Sequence, residues 1–209
     1  MKFLVLGATG KTGSLFIRQA LDAGHQIAAV VRGSDAELDP RAPKVTGDVT
    51  RAGDLAEAAA GTDAIVSMLG PAGLGATTLI TDSTRAISEA ARKSGVSRVL
   101  IMSAFGVGDS LRLASPVARL MYRTAARAIY RDKAIGDAIL RDSELDWTLA
   151  YPGTLKDAPR SRYDATPLDQ LTKVPGLVTT SRANVADFLL TSAADHGFSR
   201  RTVVLRDQK

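Results

Sequence analysis

Cysteine is absent from this chain of 209 residues. Its absence excludes a disulfide framework, a thiol nucleophile and a cysteine-ligated zinc ion. The two histidines, His25 and His196, lie far apart and show no metal-ligand spacing, so we expect no metal site. The chain also lacks an apolar run of membrane-spanning length, and Met1-Lys2 leads directly into "FLVLG" without the segments of a signal peptide. We therefore expect a cytoplasmic protein with no membrane partner.

The composition indicates a globular chain with a full hydrophobic core. Hydrophobic residues make up 45% of the sequence and charged residues 23%, and this length suits one domain better than two. We expect a single domain that spans residues 1–209. The formal net charge of +5 would attract a phosphorylated cofactor, nucleic acid or a membrane surface alike. The net charge therefore does not choose among these partners.

Short apolar segments alternate along the chain with alanine-rich segments of helical periodicity. The apolar runs predict strands buried on both faces of a sheet, at residues 2–7, 26–32, 44–48, 63–69, 97–104, 146–151 and 201–206. The periodic segments predict helices at residues 11–23, 52–60, 76–93 and 116–142. This alternation predicts an α/β fold with a doubly wound parallel sheet, the Rossmann fold, and a small C-terminal substrate-side region. The proline-rich interval 152–176 predicts an irregular loop on the substrate side.

Three glycines, Gly7, Gly10 and Gly13, connect the first predicted strand to the first predicted helix. In this context they are typical of dinucleotide binding, because glycine allows a tight turn, close approach of the backbone to a pyrophosphate and close helix packing. Free amides at the start of the helix would then face the anion. Hydroxyl and ammonium groups of the same turn could add contacts, from Thr9, Lys11 and Thr12. The alternative is a strand-to-helix turn without a ligand.

The turn "GATGKTG" resembles the atypical and extended branches of the short-chain dehydrogenase/reductase superfamily. The resemblance continues through "VVRG", "GDVTRAGDLAEAAAGTDAIVSMLG", "SGVSRVLIMSAFG", "DSELDWTLAYPGTL" and "TTSRANVADFLL". Together these segments resemble the NAD(P)H-binding proteins of the NmrA-like and biliverdin reductase B (flavin reductase) type. The resemblance implies a nicotinamide cofactor and a small-molecule substrate.

Arg32 ends the second predicted strand, where NAD-selective sites usually place a carboxylate for the ribose hydroxyls. A cation there suits a 2′-phosphate, so NADP(H) is favoured over NAD(H); the alternative is a solvated arginine at a strand end. The resemblance implies further cofactor contacts: Asp48 and Val49 at the adenine, residues 67–70 with Leu69 and Gly70 at the adjacent ribose, and Pro152 and Gly153 at the nicotinamide.

Ser103 is the polar residue expected at the reacting centre and beside the cofactor, because ligands of open parallel sheets lie beyond the carboxyl ends of the strands. Its alternative role is a hydrogen bond within the loop "SAFG". The Tyr-x-x-x-Lys pair of many superfamily members is absent. The nearest substitute is Tyr130 with Lys133, three residues apart on one helix face. The resemblance implies that Lys133 reaches the ribose or the active site, whereas Tyr130 is more simply interpreted as a helical surface residue.

Tyr151 is a second departure, since the resembling proteins commonly have an arginine before Pro-Gly. The missing proton-transfer pair favours an electron-poor hydride acceptor such as a flavin or quinone, whose proton can arrive from water. We therefore expect an NADPH-dependent oxidoreductase with catalytic candidates Ser103 and Lys133. The alternative is a redox sensor of NmrA-like character that binds the dinucleotide without turnover.

Four arginines recur every fourth residue on the helix predicted over 116–142: Arg119, Arg123, Arg127 and Arg131. Such a stripe can bind a polyanion or, in the sensor, a partner, but more often it is a solvated face. No aromatic platform or recognition motif accompanies it, so we do not expect nucleic-acid binding. The sequence predicts neither the oligomeric state nor the identity of the hydride acceptor.

Overall fold

The computed structural model describes residues 1–71, 73, 75, 77–124 and 127–208, without the side chains of residues 121, 123 and 124. Within these ranges the chain forms ten β-strands and six α-helices. Two 3-10 turns, Gly108–Leu113 and Leu168–Gln170, lie between them. None of the described helices is both long and apolar enough to cross a membrane.

The strands, in chain order, are β1 (Lys2–Leu6), β2 (Gln26–Val31), β3 (Lys44–Thr46), β4 (Ala64–Ser67), β5 (Arg98–Met102), β6 (Asp146–Pro152), β7 (Thr154–Lys156), β8 (Tyr163–Pro167), β9 (Thr179–Ser181) and β10 (Arg201–Asp207). Eight of them form one sheet in the order β3-β2-β1-β4-β5-β6-β10-β8, and β7 pairs with β9 separately. Neighbours in the large sheet are parallel except β8, which is antiparallel to β10. The prediction of a doubly wound Rossmann fold is confirmed.

The helices cover both faces of this sheet. They are α1 (Lys11–Asp22), α2 (Ala52–Ala59), α3 (Leu79–Ser94), α4 (Pro116–Thr124), α5 (Arg127–Arg141) and α6 (Arg182–Asp195). Leu4 and Leu6 of β1 pack on the face covered by α2, α3 and α5, whereas Phe3 and Val5 pack on the face of α1 and α6. Successive side chains of a strand point to opposite faces, so burial on both sides explains the uninterrupted apolar runs.

All seven predicted strands and the first three predicted helices are present, with ends that differ by a few residues. The helix predicted over 116–142 corresponds to α4 and α5, and residues 125 and 126 between them lie outside the described residues. Residue 76, the predicted first residue of the third helix, also lies outside them, and α3 is described from Leu79.

The prediction of an irregular loop over 152–176 is wrong in part. The interval contains β7, β8 and a 3-10 turn, and helix α6 with strand β9 follows it without having been predicted as an element. Strand β8 pairs with β10, where Thr166 faces Val204 in the register. Every residue of β8 is half-buried, so its sequence lacks the apolar alternation that marks a strand. Its partner strand β10 lies far along the chain, so the hydrogen bonds of β8 form only once the sheet has assembled.

Helix α1 approaches the end of β1 more closely than a side chain would allow. Gly7 has φ +77°, a left-handed conformation that glycine adopts without strain. A Cβ atom added at Gly13 would lie 2.1 Å from the Gly7 carbonyl oxygen. The Gly7 carbonyl belongs to the backbone and the Cβ is bonded directly to the backbone of α1, so the contact cannot be relieved by a side-chain rotation.

We expect Gly13→Ala to lower the free energy of unfolding by about 2 kcal/mol, because the added methyl group forces the helix from the strand although alanine favours helix. The matched control is Gly53→Ala in α2, where an added Cβ meets nothing within 4 Å. That variant should raise the free energy of unfolding by about 0.5 kcal/mol. Urea denaturation measures both. Equal effects of the two substitutions would contradict the close approach.

Candidate active site

The glycine turn leaves the start of α1 open to an anion. Gly10 is the N-cap of the helix and provides no side chain, and its N–H donates to the Gly7 carbonyl at 3.0 Å. The first turn of α1 contains no acidic residue. The partial positive charge at the start of a helix is therefore not offset within that turn. Such a helix start suits a phosphate group.

A cavity of about 280 Å³ lies beside this turn at the carboxyl ends of β1, β2 and β4. The glycine turn, the end of β2 and the segment after β4 line it together. Seven of the predicted cofactor residues line the cavity: Gly7, Thr9, Gly10, Arg32, Val49, Leu69 and Gly70. The other predicted residues do not line it: Lys11, Thr12, Gly13, Asp48, Ser103, Pro152 and Gly153.

Asp48 shapes the wall of the cavity through its own turn. Its Oδ1 accepts hydrogen bonds from the Thr50 backbone N–H at 2.9 Å and the Thr50 hydroxyl at 2.7 Å. These donors hold the pKa of the Asp48 carboxyl below its usual range. The turn presents Val49 to the cavity. Asp48 therefore stabilises the turn that places Val49 in the cavity wall.

Lys11 connects the glycine turn to the segment that follows β7. Its Nζ lies 2.8 Å from Asp157 Oδ2, and the other oxygen of Asp157 lies 2.6 Å from Arg182 at the start of α6. All three side chains are at least partly exposed, so these ion pairs contribute little to stability. Lys11 thus lies outside the lining of the cavity, with a carboxylate partner already in place.

Pro152 and Gly153 lie at the carboxyl end of β6. The Gly153 N–H donates to Thr180 Oγ1 at 3.0 Å, and a Cβ atom at Gly153 would lie 2.3 Å from the Val178 carbonyl oxygen. Only glycine fits where the chain passes this close to β9. The predicted nicotinamide end of the site is therefore built from β6 and the segment around Val178.

Ser103 is buried and belongs to a hydrogen-bond network below the loop that follows β5. Its Oγ donates to Asp137 Oδ2 at 2.7 Å, and the Tyr151 hydroxyl donates to the same oxygen at 2.7 Å. Arg141 Nη2 in turn donates to the Tyr151 hydroxyl at 2.8 Å. The second carboxyl oxygen of Asp137, Oδ1, is buried without a hydrogen-bond partner among the described residues. The Ser103 hydroxyl therefore bonds to α5 rather than within the loop "SAFG".

Burial controls the protonation of this network. Desolvation raises the pKa of Asp137, although hydrogen bonds from Tyr151 and Ser103 and the charges of Lys133 and Arg141 oppose it. Burial and the adjacent Asp137 also raise the pKa of Tyr151. Both groups are thus shifted toward their protonated forms. The carboxyl group of Asp137, which accepts a hydrogen bond from the Ser103 hydroxyl, therefore binds its proton more tightly than an exposed aspartate does.

Lys133 lies one helical turn before Asp137 and is buried. Its Nζ donates to the Met102 carbonyl at 3.3 Å, and burial lowers the pKa of the amine. Lys133 therefore reaches the carboxyl end of β5, next to Ser103.

The interpretation of Tyr130 as a surface residue is wrong. Its ring stacks on Tyr122 with a centroid distance of 5.2 Å, and its hydroxyl lies 3.3 Å from the Phe105 carbonyl oxygen. Burial raises the pKa of Tyr130. Tertiary packing of the loop after β5 against α4 and α5 produces this contact, which helical spacing alone does not show.

Sequence reasoning did not identify Asp137 and Arg141 as members of the site. Asp137 follows Lys133 by four residues, so the two share one helix face. This spacing on the helix after β5 was the available signal. Tyr151 was noted only as a departure from the expected arginine, and the structure shows that Arg141 supplies a guanidinium to the same network.

The predicted arginine stripe is divided between two helices. Arg119 on α4 donates to the carbonyls of Ala114, at 2.9 Å, and of Arg112. The side chain of Arg123 lies outside the described residues, and Arg127 and Arg131 on α5 are exposed.

Comparisons with known proteins agree with this architecture. The family model described as "NAD(P)H-binding" matches residues 7–196. The UPF0659 protein YMR090W of Saccharomyces cerevisiae is 28% identical over 205 residues, which cover 92% of this chain and 86% of that protein.

Two solved structures share the fold. The anaerobillin reductase ChuY of Escherichia coli O157:H7 has a TM-score of 0.82 and 24% identity, covering 100% of this chain and 98% of ChuY. A short-chain dehydrogenase/reductase of Veillonella parvula DSM 2008 in complex with NADP has a TM-score of 0.82 and 16% identity, covering 99% of this chain and 94% of that one. The chain belongs to the NAD(P)H-binding family whose model it matches.

The buried carboxyl of Asp137 predicts a pH dependence of stability. Between the ordinary aspartate pKa of 3.8 and the raised pKa of the folded state, the native protein binds more protons than the unfolded chain. Stability from this group therefore falls as pH rises through that interval. We expect Asp137→Asn to remove this decline. The free energy of unfolding of the variant, minus that of the wild type, should therefore increase as the pH rises.

Urea denaturation at a series of pH values measures this difference. Asp142→Asn, at an exposed position just beyond α5, is the matched control and should follow the wild type. If the free energies of unfolding of Asp137→Asn and the wild type differ by the same amount at every pH, the pKa of Asp137 is not raised by folding.

Proposed function

We propose that the protein is an NADPH-dependent oxidoreductase that transfers hydride to a small electron-poor acceptor such as a flavin or quinone. The observation that supports this most is the cavity where the glycine turn, the end of β2 and the segment after β4 meet. Family membership supports a nicotinamide cofactor. The similar fold of a reductase and of an NADP-bound dehydrogenase/reductase agrees with it.

The preference for NADPH follows from the charge of the cavity wall. Arg32 is the only charged residue among the described residues that line it, and its side chain is exposed. A carboxylate for the ribose hydroxyls, as NAD-selective sites have, is not among these lining residues. Arg32 would pair with the 2′-phosphate, and the glycine turn with the open start of α1 would hold the pyrophosphate.

The chemistry divides between the cofactor and the protein. Bound NADPH supplies the hydride. The protein binds and orients it, and Pro152 and Gly153 at the end of β6 limit where the nicotinamide can lie. Ser103 Oγ donates to Asp137, whose pKa desolvation raises, and this pair would pass a proton toward the acceptor. A reduced acceptor could take this proton through Ser103, or take one from water.

A second candidate function is a redox sensor that binds the dinucleotide without consuming it. The observation that favours it is the placement of Tyr130, whose hydroxyl lies 3.3 Å from the Phe105 carbonyl oxygen. The position four residues before Lys133, where a proton-donating tyrosine would lie, is occupied by Ile129. The two candidates differ in whether the bound cofactor is oxidised.

Turnover is tested by the near-ultraviolet absorbance of NADPH with the purified protein and either FMN or a small quinone. We expect acceptor-dependent loss of absorbance above the rate without protein. Gly10→Val should reduce that loss about a hundredfold, because its side chain displaces the pyrophosphate and misplaces the reacting carbon. NADPH binding without any acceptor-dependent loss would favour the sensor and contradict the reductase.

Arg32→Ala tests the cofactor preference. We expect its Kd for NADPH to rise about tenfold or more, because a charge-assisted phosphate contact is lost. The Kd for NADH should change less than about threefold, since NADH has no 2′-phosphate. Arg92→Ala, at an exposed position near the end of α3, is the control for net charge. Equal NADPH affinity in Arg32→Ala and Arg92→Ala would overturn the phosphate assignment.

A further inference from the structure

A second cavity, of about 310 Å³, lies at the opposite edge of the sheet. We name it the arginine cavity after four of its lining residues, Arg112, Arg141, Arg200 and Arg201. Trp147 near the start of β6 and Thr202 near the start of β10 form its inner wall. Trp147 and Pro152 are five residues apart on β6, so this wall lies about 16 Å from the carboxyl end of that strand, and none of the described residues lines both this cavity and the dinucleotide cavity. The arginine cavity is therefore separate from the dinucleotide cavity.

The charges around the arginine cavity do not balance. Two carboxylates line it, Asp109 and Asp169, against four guanidinium groups. Asp169 is already paired with Arg201. The other three arginines form none of the ion pairs found in the part of the chain that the structure describes, and Asp109 is the only remaining carboxylate of the wall. Three guanidinium groups against one carboxylate leave the wall with an excess of positive charge, which favours an anion between them.

Hydrogen bonds hold the guanidinium of Arg141 and the backbone of Arg200 in place. Arg141 Nη2 donates to the Tyr151 hydroxyl at 2.8 Å and to Thr202 Oγ1 at 3.3 Å. The Arg200 N–H donates to the Trp147 carbonyl at 2.7 Å, which fixes its backbone beside the indole. Arg200 also has φ +52°, a left-handed conformation that is uncommon outside glycine. The guanidinium of Arg141 is thus held by two hydrogen bonds, and an ordered guanidinium loses less conformational entropy when it binds a ligand.

We propose that the arginine cavity binds a small organic oxyanion, a carboxylate or phosphate ester. The planar guanidinium group presents paired N–H donors that match both oxyanions in a bidentate arrangement. The cavity is large enough for more than a single inorganic ion, and Leu168 provides an apolar wall for the organic part. The bound oxyanion supplies the missing counter-charge to Arg112, Arg141 and Arg200.

Arg141 belongs both to this cavity and to the network of Ser103. From Arg141 the hydrogen bonds run through Tyr151 and Asp137 to Ser103, at 2.8, 2.7 and 2.7 Å. An oxyanion that takes donors of Arg141 would compete with the Tyr151 hydroxyl for them. The arginine cavity is thus in direct contact with the buried network below the reacting centre.

Trp147 is the only tryptophan of the chain, so its fluorescence reports on this cavity alone. The experiment titrates the protein of residues 1–209 with citrate and, separately, with inorganic phosphate, against sodium chloride of equal ionic strength. We expect a saturable change of Trp147 fluorescence with citrate or phosphate and none with chloride. The tighter of the two probes distinguishes a carboxylate ligand from a phosphate ligand.

The double variant Arg112→Ala, Arg200→Ala should bind the better probe about tenfold or more weakly, since two charge-assisted contacts are lost. Both side chains are exposed, and circular dichroism checks that the fold is retained. The matched control is Arg131→Ala, an exposed arginine of α5 outside the cavity, which should bind as the wild type does. No saturable change in the wild type, or equal binding by the double variant, would overturn the proposal.

Discussion

The close approach of helix α1 to the end of strand β1 is the contact on which the geometry of the dinucleotide cavity depends. A Cβ atom at Gly13 would lie 2.1 Å from the carbonyl oxygen of Gly7, so the two segments meet at a distance that only glycine permits. That distance sets the direction of α1 and points its first turn at the carboxyl edge of the sheet. Strand β1 lies between β2 and β4 and is parallel to both, so the carboxyl ends of all three strands lie side by side and complete the cavity.

The buried carboxyl group of Asp137 organises the other half of the site. Burying a carboxyl group is costly unless hydrogen bonds or protonation compensate. Here two hydroxyl groups donate to one of its oxygens, and desolvation raises its pKa. The same carboxyl joins α5 both to the end of β5, 34 residues away at Ser103, and to the following strand β6. The carboxyl group with the raised pKa is thus also a structural junction.

Several features of the fold and site were predictable because their signals are local. Strands buried on both faces need uninterrupted apolar residues, and a turn against a helix needs glycine. These requirements appear directly in "KFLVLG" and "GATGKTG", and both predictions are confirmed for the fold. Strand β8 was not predicted, because its residues are half-buried and its partner β10 lies about forty residues away. Tyr130 was misplaced for a similar reason, since its contact with Tyr122 depends on how α4 and α5 pack.

The sequence by itself determined the order of strands and helices, the glycine turn and the cation at the end of β2. Each of these depends on the chemistry of a few consecutive residues, which the chain carries whether folded or not. Only the tertiary structure decided that Ser103, Asp137, Tyr151 and Arg141 form one network and that four arginines from three separate parts of the chain surround one cavity. Such groupings depend on which faces of the sheet and helices come together, and on which charges lose their contact with water. Burial and proximity are properties of the packed chain, so no local pattern encodes them.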